Sequence, residues 1–435
     1  MKYPIKSMIF GGAILFALSM CLTSCEGALD DVFGEWDKPA PSTVTPSDEG
    51  TSPVSVTGIT LNKTYTALLI GGTETLTVDA VAPADATDKT VTWSSDNTAA
   101  ATVDASTGAI SGVAAGTATI TATAKDGSGV KATCTVYVGL LSGKFTINAS
   151  GDQIQFAQGN LQATTANLGN TWTWGFAANQ WDYIGSATAN TKINGNGAVS
   201  ADGTVDLFGW VGASNTTWEG DLGTKLNAAM YGISKVGDGS SSFATSTDDY
   251  GNGDGENIKS DWGNTIGTGW RTLTHAEWEW LLGPNPGTPP APGTDCRTSS
   301  TVNGTDNARF TEATINTDGT PVNGVILFPD DVTIANEDAT WGTINNWSNW
   351  GTQCTEAQWA ALAAKGCVFL PSAGYRYISV VYEVNNYGRY WSSTSSGTTF
   401  AYYLRFQQNG GDISSGQGNR SGASSVRLVV KVPKP

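Results

Sequence analysis

Between residues 54 and 138, apolar and polar residues alternate in short stretches that are rich in Val, Ile and Thr. Turn-forming residues interrupt the alternation at 71–72, at 104–108 and at 126–127. A period of two with β-branched side chains indicates half-buried strands that are joined by turns. We therefore predict a small all-β sandwich, whose strands include residues 56–61, 75–78, 90–93, 117–122 and 133–138.

A different pattern in residues 139–435 predicts two helices among short strands. Each helix would begin with a Thr that is followed by Glu or Gln three residues later and then by Trp, as in a capping box with a hydrophobic staple. The residues are Thr274, Glu277 and Trp278, and Thr355, Gln358 and Trp359. Buried positions would be Trp278, Leu281 and Leu282 in the first helix, and Trp359 and Leu362 in the second, which would end at Gly366. With strands predicted at 325–328, 368–370, 402–406 and 426–430, this part is an α+β domain.

The composition excludes several classes of function. The chain has 39 acidic and 23 basic residues and a net charge of −16, so its surface repels phosphate backbones, and we exclude nucleic acid as a partner. Its one histidine, His275, leaves no His-based metal centre and no Ser-His or Cys-His couple within a protomer. We predict no metal, no cofactor and no enzymatic activity, and we expect His275 to be an exposed polar residue at the start of its helix.

The N-terminus carries a targeting signal. Lys2 and Lys6 precede an apolar run at 8–20, and Leu-Thr-Ser then leads into Cys25. The run is shorter than the roughly 20 residues that a membrane-spanning helix needs, which argues against an uncleaved helix. The segment resembles a bacterial lipoprotein signal peptide, which implies removal of residues 1–24 and attachment of lipid at Cys25. Contact with the membrane would then be through the lipid anchor alone.

Residues 25–53 have the composition of a tether. The part from 38 to 53 is Pro, Ser, Thr and Asp with little to bury, so it cannot offset the entropy of ordering. The acidic residues just after Cys25 resemble the surface-export signal of Bacteroidetes lipoproteins, which implies a location on the outer membrane, exposed at the cell surface. These residues are Glu26, Asp30, Asp31, Glu35 and Asp37.

The alternating segment has a family resemblance of its own. The run TVTWSSDNTAAATVDASTGAISGVAAGTATITATA within residues 54–138 resembles a bacterial Ig-like domain of group 2. That family implies a seven-stranded sandwich with Trp93 in its core, used as a spacer or adhesion module. Cys134 has no second cysteine in the segment, so the intersheet disulfide of antibody domains is absent.

Residues 139–435 contain 14 of the 16 tryptophans and resemble another surface family. The ordered motifs FAQGNLQ, WGFAANQWDYIG, DLFGW, GWRTLTHAEWEWLL, GVILFPDD, CVFLPSAGYRY, GRYWSST, AYYLRF and SSVRLV are similar to the Fibrobacter succinogenes major paralogous domain of Bacteroidetes proteins. The resemblance implies a C-type-lectin-like fold. The last stretch also resembles variable proteins of diversity-generating retroelements, in which a C-terminal region changes its ligand recognition by mutation.

The segment 375–421 has the composition of a binding surface. It holds 7 of the 13 tyrosines with 8 Ser, 6 Gly and 4 Asn, which combines rigid contact area with small hydrogen-bonding groups. Alternation in 402–407 predicts that Tyr402, Leu404 and Phe406 point inward and that Tyr403, Arg405 and Gln407 point outward. Trp391 and Arg427 are predicted to be structural. The candidate ligand-binding residues are Tyr377, Ser379, Tyr382, Asn386, Tyr387, Tyr403, Arg405, Gln407, Asp412, Ser414, Gln417 and Asn419.

Two further features leave alternatives open. The acidic run at 248–256 could supply oxygen ligands to calcium, but it does not match an EF-hand loop, and we interpret it as a solvated loop. Cys296, Cys354 and Cys367 allow one disulfide, with Cys354 to Cys367 closing the shortest loop, or they are buried thiols.

Together these features predict a lipid-anchored surface protein that presents a lectin-like head on an Ig-like spacer and binds a protein or glycan ligand. The alternatives are a structural subunit of a pilus or surface layer and, with less support, a carbohydrate-active enzyme that uses paired carboxylates.

Overall fold

The computed structural model describes residues 52–166, 171–184, 203–210, 261–282, 301–302, 305–306, 309–317, 319–330, 332, 352–377, 380–396, 400–407, 411–419 and 422–433. The predicted signal peptide, Cys25 and nearly all of the predicted tether lie outside these residues. Strands predominate throughout the described ranges, and no helix within them is both long and apolar enough to cross a membrane.

The N-terminal part, residues 54–138, consists of strands and turns. One sheet has the order β2-β9-β8-β5, a second has the order β3-β7-β6, and β1 pairs with β4. Every second residue of β8 is buried, as the alternation predicts, and Trp93 lies in the core with Ile110 and Ile120. The strands are β1 (Gly58–Leu61), β2 (Tyr65–Leu68), β3 (Thr73–Thr75), β4 (Val78–Ala82), β5 (Val91–Ser95), β6 (Ala101–Val103), β7 (Ala109–Gly112), β8 (Gly116–Ala124) and β9 (Lys131–Val138).

One strand prediction in this part is wrong. Residues 75–78 do not form a continuous strand, because β3 ends at Thr75 and β4 begins at Val78, in a different sheet. Between them Leu76 is fully buried, and its amide donates to the carbonyl of Gly108. The alternation is therefore real, but it marks the point where the chain crosses from one sheet to another.

The C-terminal part, from residue 139 onward, adds twenty strands and two helices within the described ranges. The strands are β10 (Leu140–Thr146), β11 (Gln153–Ala157), β12 (Leu161–Ala166), β13 (Thr171–Phe176), β14 (Gly203–Val205), β15 (Phe208–Gly209), β16 (Trp270–Thr272), β17 (Thr301–Val302), β18 (Thr305–Asp306), β19 (Phe310–Thr317), β20 (Thr320–Leu327), β21 (Thr352–Thr355), β22 (Val368–Pro371), β23 (Tyr375–Tyr377), β24 (Val380–Tyr382), β25 (Tyr387–Ser396), β26 (Phe400–Gln407), β27 (Gly411–Asn419), β28 (Ala423–Ser424) and β29 (Leu428–Lys431). The helices are α1 (His275–Leu282) and α2 (Glu356–Ala364), and a short 3₁₀ helix spans Trp262–Thr265.

Four sheets organise this part. Their orders are β10-β11-β29-β16, β21-β19-β20-β22, β15-β28-β23-β24 and β25-β26-β27, and two further sheets are β13-β12-β14 and β17-β18. The first sheet brings the two ends of the C-terminal part together, because β11 pairs antiparallel with β29. The largest core in this part lies among these sheets and α1, and it includes Phe156, Trp278, Tyr390 and Phe406.

Both helices begin as the sequence predicts. The Thr274 hydroxyl accepts from the amide of Glu277 (3.2 Å), and the Glu277 carboxylate accepts from the amide of Thr274 (2.8 Å). Thr355 and Gln358 form the same reciprocal pair at the start of α2. Trp278 and Trp359 are buried, and Gly366 with φ of 89° follows the end of α2.

The N-terminal and C-terminal parts meet without a linker. Strand β9 ends at Val138 and β10 begins at Leu140, with only Gly139 between them. Gly139 has a φ of 89°, and a Cβ there would lie 2.7 Å from the Phe176 ring, so glycine is needed on both grounds. The Thr117 hydroxyl donates to the carbonyl of Thr268 (2.9 Å) across the same junction.

Candidate ligand-binding face

The predicted binding segment folds largely into the three-stranded sheet β25-β26-β27. On one face of this sheet, Tyr390, Leu404 and Phe406 enter the core that contains α1. Gly388 makes this packing possible, because a Cβ at that position would lie 2.1 Å from the Phe406 ring. The other face carries Tyr387, Arg389, Tyr403, Arg405 and Ser414, and we call it the arginine face.

Several predicted residues meet on the arginine face. Arg405 lies opposite Ser414 in the β26–β27 pairing, and its Nε donates to the Ser414 hydroxyl (2.9 Å). Tyr387 lies opposite Gln407 in the β25–β26 pairing. Burial raises the pKa of Tyr387, and the charges of Arg389 and Arg405 oppose that rise. These four predicted residues thus form one continuous patch.

Strands β23 and β24 extend the patch through a tyrosine cluster. The Tyr375 ring stacks on Tyr382 at 5.7 Å between centroids and meets Tyr387 edge-on at the same distance. Tyr382 keeps 42% of its surface exposed, and its neighbour Val380 keeps 44%. The outer end of the cluster therefore offers aromatic and apolar contact area to solvent.

The prediction that Tyr403 points into solvent is wrong. Its residue is only 8% exposed, and its ring lies beneath the Arg389 guanidinium, 4.1 Å from ring centroid to Cζ, and edge-on to Trp391. Gly416 and Gly418 of β27 leave the space for this ring, since a Cβ on either would come within 2.7 Å of it. Tyr403 therefore supports the arginine face from beneath.

The prediction that Tyr402 points inward is only partly correct. Tyr402 is half-buried, and its ring stacks on His275 at 3.9 Å. The sequence predicts His275 to be an exposed polar residue, but it is half-buried between Tyr402 and Glu279, with Nε2 3.2 Å from a Glu279 oxygen. Burial lowers the pKa of His275, and Glu279 opposes the shift.

Three of the other predicted residues lie away from the patch. Gln417 and Asn419 lie opposite Tyr402 and Phe400 in the β26–β27 register, so they belong to the other face of the sheet. Asn386 sits in the turn before β25, where its amide donates to Glu383. Ser379 lies outside the described residues, and Tyr377 and Asp412 lie in β23 and β27 with side chains that are likewise outside the description.

Arg389 is the functional candidate that sequence reasoning missed. Its guanidinium Cζ lies 4.1 Å, 5.0 Å and 5.6 Å from the ring centroids of Tyr403, Tyr375 and Trp391. Its Nε is buried and has no hydrogen-bond partner. Burial lowers the pKa of Arg389, and the adjacent tyrosines oppose that shift. The alternation of Tyr387, Arg389 and Trp391 with Gly388 and Tyr390 was the signal that could have placed it on the same face as Arg405.

The two residues that were predicted to be structural have that role. Trp391 is buried, and its indole nitrogen donates to the carbonyl of Phe208 (2.6 Å). Arg427 is fully buried and donates to the carbonyls of Ala157, Gln180 and Phe369. Arg427 thereby joins β11, β22 and the segment after β13.

Other candidate chemistry contributes little to this face. In the part of the chain that the structure describes, no group of three or more His, Cys, Asp or Glu residues could hold a metal ion. The acidic run at 248–256 and Cys296 lie outside that part, whereas Cys354 and Cys367 are both buried in the core beneath α2. An open cavity of about 450 Å³ lies at the junction between the two parts of the chain, lined by Leu69, Ile70, Trp181 and Trp359 among others.

Comparison with known proteins identifies the N-terminal module. Residues 55–136 match the family model of the bacterial Ig-like domain (group 2), as predicted. The chain is 39% identical over 108 residues to an uncharacterized protein of Clostridium acetobutylicum, a match that covers 25% of this chain and 11% of that protein. It is 47% identical over 75 residues to an Ig-like virion protein of Serratia phage KSP90, covering 17% of this chain and 29% of that protein. The chain thus spans less than a third of the length of either relative.

Solved structures with local similarity include domains of an S-layer protein and a fragment of intimin. Domains 4 and 5 of the S-layer protein SbsC are 24% identical, with a TM-score of 0.17, over 20% of this chain and 53% of that chain. The C-terminal 282-residue fragment of intimin, solved in complex with the intimin-binding domain of the translocated intimin receptor, is 24% identical, with a TM-score of 0.15, over 22% of this chain and 36% of that chain.

Proposed function

We propose that this chain is a lipid-anchored cell-surface protein that binds a macromolecular ligand through its C-terminal part. The observation that carries the proposal is the arginine face, where predicted binding residues from three strands form one patch beside the exposed Tyr382. Tyr and Arg are among the residue types that most often anchor protein interfaces. The match of residues 55–136 to a bacterial Ig-like domain supports a modular surface protein in which binding and display are separate tasks.

We further propose that residues 139–435 form a C-type-lectin-like head. Support comes from the pairing of β11 with β29, which closes the head between its first and last strands. The motifs that carry the resemblance also supply much of its core: GWRTLTHAEWEWLL contributes β16 and α1, and AYYLRF lies within β26. Diversification of the C-terminal segment belongs to the same proposal. Flanking DNA with a reverse transcriptase and a near-repeat of the coding segment for 375–430 would support it.

Anchoring gives the first testable prediction. Cys25 is the residue that would receive lipid, so Cys25→Ala should move the protein from the membrane fraction to the soluble fraction. Detergent partitioning and the mass of the N-terminal peptide measure the change. Unchanged partitioning together with an uncleaved N-terminus would refute the anchor. Protease treatment of whole cells tests surface exposure separately, since complete protection would exclude it.

Ligand capture gives the second prediction. Tyr382→Ala should weaken binding to a ligand found on a protein-and-glycan array by about 2 kcal/mol, because an exposed aromatic anchor would be lost. The control is Tyr65→Ala in β2, which should leave binding unchanged, and thermal melts of both variants check that they remain folded. If neither Tyr382→Ala nor any substitution on the arginine face weakens binding, the ligand site must lie elsewhere. If nothing on the array binds the protein and the purified chain assembles with itself, the results would instead favour a structural subunit.

A further inference from the structure

Two arginines lie directly opposite each other at the centre of the arginine face. Arg389 of β25 pairs with Arg405 of β26 in the antiparallel register, so their side chains leave the sheet on the same side. Like charges in this position repel, and such pairs destabilise a sheet. The repulsion between the two arginines lowers the stability of the sheet. The chain has 39 acidic residues, any of which could in principle have been placed to neutralise the pair.

Neither arginine forms an ion pair within the part of the chain that the structure describes. Ion pairs among the described residues include Lys63–Glu74, Arg271–Glu277, His275–Glu279 and Lys431–Asp152, and none of these involves Arg389 or Arg405. Arg389 is instead covered by tyrosine and tryptophan rings, and its buried Nε has no hydrogen-bond partner. Arg405 is exposed and is held by a hydrogen bond to Ser414. Among the described residues, no ion pair offsets the positive charge of the patch.

We infer that Arg389 and Arg405 form an anion-binding centre and that its ligand is a protein segment that carries Asp or Glu carboxylates. The inference rests on the proposed function and names the chemistry of its partner. Guanidinium groups bind planar carboxylates through paired hydrogen bonds, which are among the stronger hydrogen bonds in proteins. Supply of the missing carboxylate by the partner would relieve the repulsion between the two arginines.

The shape of the site favours a protein over a small ligand. Small-molecule sites are concave, whereas this patch is the face of a three-stranded sheet, and the cavity of about 450 Å³ lies at the junction with the Ig-like module. Exposed Tyr382 and Val380 beside the arginines supply aromatic and apolar contact area, which suits a protein surface. Because the chain carries a net charge of −16, this cationic patch can attract an acidic partner only at short range, within about 8 to 10 Å in physiological salt.

The test uses the full mature chain and a fluorescein-labelled oligo-glutamate peptide, with fluorescence anisotropy as the readout. Arg405→Gln is the main variant because Arg405 is exposed, so the fold should survive the change. We expect a loss of about tenfold in affinity with Arg405→Gln and a smaller loss with Arg405→Lys, which keeps the charge without the planar fork. Binding should also weaken as salt is raised from about 50 to about 300 mM. Lys131→Gln, an exposed site on β9, is the matched control and should bind as the parent does.

Several outcomes would overturn the inference. Equal affinity of the parent and Arg405→Gln would remove the anion centre, as would equal binding of an oligo-glutamine peptide. Tighter, Arg405-dependent binding of polygalacturonate would assign the carboxylate to a glycan and exclude the protein ligand. Suppose that an array ligand is captured normally by Arg405→Gln but not by Tyr382→Ala. The proposed function would then stand, and the anion-binding centre would be refuted.

Discussion

Phe406→Ala should lower the free energy of unfolding of the C-terminal part by about 3 to 5 kcal/mol, because a fully buried aromatic ring would be replaced by a cavity. The ring lies against Gly388, where a Cβ would come within 2.1 Å, and it stacks on Tyr390 at 6.0 Å. Backbone on one side and a second ring on the other leave little freedom for the site to collapse. We therefore expect a cost near the upper end of this range.

Phe400→Ala is the matched control, since it makes the same change on the same strand. Phe400 is 42% exposed, so its removal should cost about 1 kcal/mol or less. Chemical denaturation of the two variants and the parent, followed by tryptophan fluorescence, measures the difference. Equal losses at the two positions would contradict the burial of Phe406 and the exposure of Phe400 at the other end of the same strand face.

The predicted and observed faces of β26 show what the alternation of apolar and polar residues can and cannot predict. A period of two correctly placed Leu404 and Phe406 on one face and Arg405 on the other. It could not predict that Tyr403 would be covered, because the cover comes from Arg389 on β25 and from the space above Gly416 and Gly418 on β27. Burial on the second face of a strand depends on neighbours that are distant in sequence.

Capping residues gave more reliable predictions than alternation. Both helices begin at the predicted residues, because Thr274 and Thr355 form reciprocal hydrogen bonds with residues three positions ahead. These bonds are local, so the sequence alone specifies them. The failed strand at 75–78 is the opposite case, because Leu76 is fixed by the distant backbone of Gly108.

Arg389 shows a third limit. Its role depends on which residue lies across the strand pair, and the register that places Arg405 opposite it includes a bulge between Trp391 and Ser395. A sequence pattern assigns a residue to a face but does not specify this register. The arginine pair could therefore be recognised only in the folded sheet.

Stability should also depend on pH through Glu312 of β19. This carboxyl group is buried, neither of its oxygens has a hydrogen-bond partner, and burial raises its pKa from 4.5 to about 8. The unfolded chain releases the proton near the ordinary pKa, whereas the folded chain retains it to a higher pH. The stability that the protonated group allows is therefore fully present below the unfolded pKa, and it is lost as pH rises through the folded pKa of about 8.

Glu312→Gln should remove this dependence, because the amide has nearly the same shape and cannot ionise. We expect the variant and the parent to be similar near pH 4.5, and the variant to be more stable by about 3 to 5 kcal/mol once the pH exceeds 8, as the shift of the pKa implies. Urea denaturation at a series of pH values measures the difference between the two proteins, so that the effects of other titrating groups cancel.

Glu356→Gln, at an exposed carboxylate in the first turn of α2, is the control and should differ from the parent by about 0.5 kcal/mol or less. A difference between Glu312→Gln and the parent that does not change with pH would show that Glu312 is ionised in the folded chain or has found a partner there.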